Sequence, residues 1–327
     1  MMAAMTPLTT KALTDIDRVA AAQNAVDDDA NSFWSEFGKV HRDHIARYGF
    51  ETFKRHVTGY GSWQITKFSS RFTLRCLAAL LRRGKLPALA RVDWRDKDPM
   101  PIWGKAVSDR NSATQRLRAY ALWCGLIWQY AALFDELDCL RLTEPALGRP
   151  LPVRLHGRLI SQDIAIAALD MNAMATIVPL RTKRRILEIG AGYGRFAYVF
   201  RSLFPDVEYT IADISPALAV SQNYLTAVMG GRKFAFVLPH ELDAMPDHSF
   251  DLVINISSFD EMPQAVQNRY LQRIDRLCRG HLYVSGYHHH GGERIGLDDL
   301  PYPHDWTLLL NHRHEVFPVW CEKVFAI

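Results

Sequence analysis

Residues 186–196 read Ile-Leu-Glu-Ile-Gly-Ala-Gly-Tyr-Gly-Arg-Phe, and this stretch decides the fold of the chain. The apolar residues before the first glycine predict a buried β-strand, and those after the third predict the start of a helix. Gly190, Gly192 and Gly194 let the backbone turn sharply and approach a ligand closely, because glycine has no Cβ. Open α/β sheets bind nucleotides at such a turn, at the carboxyl end of a parallel strand.

The spacing of these glycines differs from that of a dinucleotide-binding turn. The dinucleotide fingerprint is G-x-G-x-x-G, whereas here the third glycine comes one residue early and Arg195 takes its place. A helix is predicted over 196–204, and a second strand over 207–213 ends on Asp213. An acid at that position can accept hydrogen bonds from both ribose hydroxyls.

Strands and helices alternate from residue 184 onward, which predicts an α/β fold with a parallel sheet between layers of helices. The further predicted strands are 234–238, 251–256 and 281–285, followed by 306–310 and 319–327 as an antiparallel hairpin. This part, residues 151–327, is interpreted as a Rossmann-like domain.

The first half of the chain has helical patterning. Residues 1–30 are rich in Ala and Asp and are interpreted as a flexible N-terminus, and residues 31–150 as a helical domain. A Pro- and Gly-containing segment, 144–152, predicts the linker between the two domains. We expect the helical domain, which is rich in tryptophan, to cover the carboxyl ends of the strands. It should supply much of the pocket for the molecule on which the protein acts.

Composition excludes several classes of function. The net charge of +4 is too small to indicate a nucleic-acid partner, and the basic segment 71–95 is interpreted as a solvated helix face. The longest uncharged apolar run, 119–134, is shorter than the ~20 residues of a membrane span. The five cysteines are scattered without a C-x-x-C pair, which indicates a reducing compartment, and we expect a cytoplasmic protein.

Two loops expected at the carboxyl ends of the strands carry side chains suited to proton transfer. Asp260 and Glu261 follow the fourth strand and can act as a general base, although paired acids that open a helix can simply complement its dipole. His288, His289 and His290 follow the fifth strand, and the imidazole pKa lies near neutrality. Adjacent histidines do not naturally face one ion, so no metal ligand is assigned and a divalent metal is not favoured.

The pattern E-x-G-x-G-x-G, formed by Glu188 and the three glycines, resembles motif I of class I S-adenosylmethionine (SAM) methyltransferases. Four segments also resemble a sugar O-methyltransferase family of natural-product and surface-polysaccharide gene sets: YGFETFKR at 48–55, LEIGAGYG at 187–194, LPHEL at 238–242 and SSFDEMP at 257–263. The histidines that follow Tyr287 depart from that family's pattern, which leaves the acceptor and the base open.

The resemblance implies SAM as the cofactor. It assigns the methionine end to Glu188 and the ribose to Asp213, with backbone contacts at Gly190, Ala191, Gly192, Gly194 and Ile214. It also places His240 and Glu241, which follow the third strand, near the adenine. For His240 the alternative is a loop histidine that satisfies a turn.

The function implied is methyl transfer to a hydroxyl of a sugar or glycoside. Glu261 or Asp260 is the expected base, with help from the three histidines. The alternatives are a methyltransferase of a non-sugar small molecule and a SAM-binding protein without catalytic activity. The expected partner is a small-molecule or glycan acceptor, and a homo-oligomer stays open.

Overall fold

The computed structural model describes residues 5–25, 32–56, 70–94, 110–230, 232, 234–289 and 295–327. The chain divides into two compact units. One comprises residues 1–15 and 37–169, and the other comprises residues 16–36 and 170–327.

The first half of the chain is mainly helical. Its elements are, in order, α1 (Pro7–Asn24), α2 (Ser32–Tyr48), α3 (Phe53–His56), α4 (Ser70–Arg82), β1 (Val92–Asp93), α5 (Arg110–Ala131), β2 (Arg154–Leu155), β3 (Arg158–Leu159) and α6 (Gln162–Ala175). The three short strands form a small antiparallel sheet. Helix α4 packs on α5, and side chains such as Cys76, Leu126 and Ile127 are fully buried there.

The second half alternates strands and helices. Its elements are β4 (Arg185–Ile189), α7 (Arg195–Leu203), β5 (Glu208–Ala212), α8 (Ala217–Met229), β6 (Phe234–Val237), β7 (Phe250–Ile256), α9 (Gln264–Leu277), β8 (Cys278–Tyr287), β9 (Thr307–Arg313) and β10 (Trp320–Ala326). Among the described residues these strands form one seven-stranded sheet in the order β6-β5-β4-β7-β8-β10-β9.

Strands β4 to β8 run parallel, whereas β10 pairs antiparallel with β8 and β9. The central strands are largely apolar, as burial beneath helices requires: Leu187, Val253 and Leu282 are completely buried on one face, and Ile186 and Ile254 on the other. The predicted fold class, a Rossmann-like sheet with a helical N-terminal part, is confirmed, as is the final antiparallel hairpin. In the parts of the chain that the structure describes, no helix has both the length and the apolarity needed to cross a bilayer.

The N-terminus differs from the flexible segment predicted for residues 1–30. Residues Pro7–Asn24 form α1, and Ala12, Ile16 and Val19 are buried on one side of it. These positions are separated by four and three residues, which is the spacing of a single helix face. Burial of that face, rather than local propensity, explains the helix.

The predicted linker 144–152 is also packed instead of loose. The Glu144 side chain is buried, forms an ion pair with Lys54, and accepts a hydrogen bond of 2.6 Å from the Ser161 hydroxyl. The backbone N–H of Lys54 donates to the carbonyl of Gly148. The segment therefore belongs to the first unit, which extends to residue 169.

Breaking the Lys54–Glu144 pair should destabilise the protein strongly. We expect Lys54→Met to lower the free energy of unfolding by about 3–5 kcal/mol, because it leaves a buried carboxylate without its cation. Lys11→Met is the matched control, since Lys11 pairs with Asp15 at the surface, and it should cost less than about 1 kcal/mol. Urea unfolding followed by circular dichroism measures both, and equal losses would contradict the structural role of the buried pair.

Candidate active site

The glycine turn after β4 has the backbone conformation that its sequence predicts. Gly190, Gly192 and Gly194 have φ angles of 75°, 60° and 88°, a region that favours glycine. The N–H of Gly190 donates to the carbonyl of Ala212 at the end of β5, which fixes the turn to the neighbouring strand. A Cβ on Gly192 would meet no atom within 4 Å, so this part of the turn faces open space in which a ligand can lie.

The loop after β7 packs directly on this turn. A Cβ on Gly190 would lie 2.1 Å from the Ser258 hydroxyl oxygen, so only glycine permits the approach. The fully buried Asn255 connects the two: its amide donates to the carbonyl of Ile189 (3.0 Å) and its oxygen accepts from the N–H of Phe259 (3.1 Å). Asn255 is missing from the sequence prediction, because an Asn inside an apolar strand carries no motif of its own.

Asp213 lies at the end of β5, as predicted, and faces the glycine turn. Its carboxylate accepts hydrogen bonds from the N–H groups of Gly192 (2.9 Å) and Ile214 (2.8 Å). Burial raises the pKa of Asp213 to about 7, although both hydrogen bonds favour the ionised form.

Glu188 is more enclosed than a ligand-contacting acid in an open cleft. Its side chain is 3% exposed and accepts a hydrogen bond of 2.8 Å from the Tyr209 hydroxyl. Burial raises its pKa to about 7, while the hydrogen bond from Tyr209 and the charge of Arg195 lower it. The sequence prediction does not include this hydrogen bond from Tyr209.

The charge around the turn fits SAM better than a dinucleotide. The buried Asp170 on α6 also has a pKa raised to about 7, first by desolvation, and its charge and that of Asp213 raise the pKa of Glu188. Several carboxyls close together would repel the phosphates of a dinucleotide, whereas SAM carries a sulfonium and an ammonium group. The Cβ-free turn and the acid at the ribose position complete the fit.

Helix α1 contributes a contact that the sequence prediction does not include. The side-chain oxygen of Gln23 accepts a hydrogen bond of 2.7 Å from the N–H of Ser215, two residues after Asp213. Gln23 is 7% exposed, and both residues belong to the second unit. Gln23 therefore holds the backbone of the loop that follows Asp213.

The two predicted adenine residues lie in the 3₁₀ turn Pro239–Ala244 after β6. One carboxylate oxygen of Glu241 accepts a hydrogen bond of 2.6 Å from the N–H of Leu238, so Glu241 stabilises the start of this turn. His240 is half-buried in the same turn. Both positions follow the strand adjacent to β5, but their contact with adenine stays a prediction.

The two acids after β7 occupy different environments in the 3₁₀ turn Phe259–Glu261. Asp260 is 2% exposed and accepts a hydrogen bond of 3.3 Å from the N–H of Tyr287, at the end of β8. Glu261 is half-buried. Asp260 thus joins the loops after β7 and β8, while Glu261 retains access to solvent.

Of the histidines after β8, His289 contacts an acid other than the expected Asp260 and Glu261. His289 lies 2.7 Å from Asp299, and its ring is 4.8 Å from that of His288. Burial, followed by the charges of Arg313 and His289, lowers the pKa of His288, which favours a neutral imidazole. His290 lies outside the described residues.

His288, His289 and Asp298 are close enough to hold a metal ion. However, Asp298 already accepts from Lys323 (2.9 Å) and pairs with Arg313. These two cations offset the carboxylate charge that would attract a metal, so we assign no metal to the group.

Comparisons with known proteins agree with this geometry. Residues 187–280 match a family model described as a methyltransferase domain, which spans the glycine turn and strands β5 to β7. No curated protein sequence matches the chain.

Several solved structures resemble about half of the chain. A SAM-dependent methyltransferase from Aquifex aeolicus is 11% identical, with 48% of this chain and 88% of that chain covered and a TM-score of 0.36. A candidate sarcosine dimethylglycine methyltransferase from Galdieria sulphuraria is 13% identical, with coverages of 50% and 86% and a TM-score of 0.43. The pyocyanin biosynthetic protein PhzM is 14% identical, with coverages of 50% and 56% and a TM-score of 0.40. These values are too low to transfer a substrate.

The methyltransferase-domain match coincides with the strands and the turn that form the site. Residues 187–280 thus match a methyltransferase domain, and the glycine turn and Asp213 fit SAM as its cofactor.

The affinity for SAM should decrease as the pH is lowered through 7. The carboxyl of Asp213 takes up a proton below its pKa of about 7, and binding to the carboxylate then requires release of that proton. The dissociation constant should rise by up to ~10-fold per pH unit below that point. Calorimetric titration with SAM on either side of neutrality measures the slope.

Asp213→Asn should weaken SAM binding by about 1–3 kcal/mol and reduce the pH slope. Glu208→Gln on the same strand is the control, because Glu208 is exposed and should change neither quantity. Wild-type affinity and slope in Asp213→Asn would rule out this assignment.

Gln23→Leu should raise the dissociation constant for SAM about two- to tenfold, the value of one hydrogen bond. Gln23→Glu keeps the acceptor oxygen and should bind SAM like the wild type. Asn24→Leu, at the exposed neighbouring position, is the control. If Gln23→Leu lowers the urea midpoint of the free protein but leaves SAM binding intact, the contact stabilises the fold alone.

Proposed function

We propose that this enzyme transfers the methyl group of SAM to a hydroxyl of a sugar or glycoside. The observation that carries the proposal is the packing of the Ser257–Glu261 loop on the glycine turn. Gly190 and Asn255 hold this loop on the glycine turn, and the loop contains the carboxylates of Asp260 and Glu261. Carboxylates suit a hydroxyl-rich acceptor, because they accept hydrogen bonds and can take up a proton.

The family resemblance supports the sugar as acceptor. The segments YGFETFKR and SSFDEMP are those by which the chain resembles sugar O-methyltransferases. The first contains Lys54, whose partner Glu144 lies in the same unit, so this segment has a structural role. The second contains both carboxylates and is the one that bears on the acceptor.

SAM, when bound, supplies an electrophilic methyl group on sulfur, and transfer to a hydroxyl yields a methyl ether, S-adenosylhomocysteine and one proton. Glu261 is the base that we favour, because it is only half-buried, whereas Asp260 is enclosed. Asp260 is enclosed and anchored on the Tyr287 N–H, so its role is to position the loop. The neutral imidazole of His288 is the second candidate base.

Glu261→Gln should reduce turnover ~10²–10⁴-fold and leave the affinity for SAM unchanged, because a base acts on the acceptor and not on cofactor binding. Glu208→Gln is again the control. His288→Ala, His289→Ala and His290→Ala test the contribution of the second loop. Turnover is measured with labelled SAM on a panel of sugars, glycosides and non-sugar alcohols and phenols.

The outcomes distinguish the parts of the proposal. Methylation of the non-sugar acceptors alone would refute the sugar assignment. Wild-type turnover in all four variants on a sugar acceptor would place the base elsewhere, with His240 as the next position to test. SAM binding without methylation of any acceptor would favour a non-catalytic protein.

A further inference from the structure

Helix α4 exposes leucines that a solvated helix does not need. On the side that packs on α5, Cys76 and Leu80 are buried. On the opposite side, Leu74 and Leu81 are 64% and 48% exposed. They are seven residues apart and therefore lie on the same face. Leu86, just beyond the helix, is 85% exposed.

A row of cations runs beside these leucines. Arg71, Arg75 and Arg82 are exposed and follow each other at intervals of four and seven residues, which places them on one stripe of the helix. Lys85 follows between this stripe and Leu86 and is exposed as well. Arg83 is directed elsewhere, because its guanidinium lies over the rings of Tyr130 and Phe134.

The sequence around this stripe contains no acid between Glu51 and Asp93. Residues 52–92 include no Asp or Glu, and their nine basic residues are Lys54, Arg55, Lys67, Arg71, Arg75, Arg82, Arg83, Lys85 and Arg91. The net charge of the whole chain is only +4, so positive charge is concentrated in this segment. The interpretation as a solvated basic face accounts for the arginines but not for the leucines between them.

We propose that this surface, the α4 face (Leu74, Leu81 and Leu86 with Arg71, Arg75, Arg82 and Lys85), docks on an anionic lipid membrane. The leucines enter the boundary between headgroups and acyl chains, and the cations contact lipid phosphates. A nucleic acid would use the cations but would leave the leucines in water. A second copy of the chain, joined face to face, would bring two rows of like charge together.

The full-length protein should co-sediment with phosphatidylcholine vesicles that contain phosphatidylglycerol, and not with vesicles of phosphatidylcholine alone. Added salt should weaken the binding, because it screens the attraction between the arginines and the headgroups. The triple variant Arg71→Gln, Arg75→Gln, Arg82→Gln should lose on the order of 100-fold in affinity, at about fivefold for each cation.

The variant Leu74→Ser, Leu81→Ser should lose about tenfold or more while its charge stays the same. Leu308→Ser, Leu309→Ser is the matched control, because those leucines are 47% and 41% exposed and belong to β9 of the second unit, not to the basic segment. Circular dichroism confirms that each variant is folded. SAM binding should be unchanged in all of them, which separates this test from that of the proposed function.

Three results would overturn the proposal. The first is equal loss of vesicle binding in the α4 and β9 leucine variants. The second is that the protein binds an oligonucleotide but not vesicles, and that the leucine substitutions leave this binding unchanged. The third is a dimer, without vesicle binding, that dissociates in Leu74→Ser, Leu81→Ser.

Discussion

The packing of Ser258 on Gly190 is the contact on which the active site depends. The Ser258 side chain comes so close that no Cβ fits at position 190, and Asn255 connects the end of β4 to the loop after β7. Methyl transfer needs the acceptor atom in line with the methyl group, so a small displacement lowers the rate. A loop anchored on the glycine turn keeps Asp260 and Glu261 at a fixed position relative to that turn. Gly190 thus has two roles: it lets a ligand approach the backbone, and it lets the loop after β7 pack on the turn.

Local patterns in the sequence predicted the parts of the fold that local patterns determine. Apolar strands and alternate glycines placed the sheet, the turn and Asp213, because each depends on residues that are near one another in the chain. The N-terminal helix was missed, since the abundance of Ala and Asp obscured the spacing of Ala12, Ile16 and Val19. Its contact from Gln23 to Ser215 joins residues far apart in sequence and has no local signal.

Pairings of charged residues were the least predictable. Lys54 and Glu144 are separated by 90 residues, and the prolines around Glu144 indicated a linker rather than a buried partner. The histidines after β8 were expected to meet Asp260 or Glu261, but His289 pairs with Asp299. Sequence places such groups on the correct edge of a parallel sheet, whereas the choice among neighbouring acids depends on loop conformation.

A chain of polar side chains starts at Asp170, whose charge raises the pKa of Glu188, and continues across one face of the sheet. The Tyr283 hydroxyl lies 2.9 Å from Asp170 and 3.0 Å from Glu322, whose other oxygen is 2.8 Å from the half-exposed His312. Tyr283 has one proton and cannot donate to both carboxylates at once. With a pKa of about 7, Asp170 is the acid that can hold the additional proton near neutrality.

This arrangement links protein stability to the charge of the cofactor. A carboxyl whose pKa is higher in the folded than in the unfolded state makes the fold less stable as the pH rises from about 4 to about 7. Asp170, Glu188 and Asp213 all shift in that direction, so the free protein carries unfavourable buried charge above neutrality. A cationic ligand offsets that charge, and it does so most where the carboxyls are ionised. The same burial that weakens the free fold therefore favours a sulfonium cofactor over an anionic nucleotide.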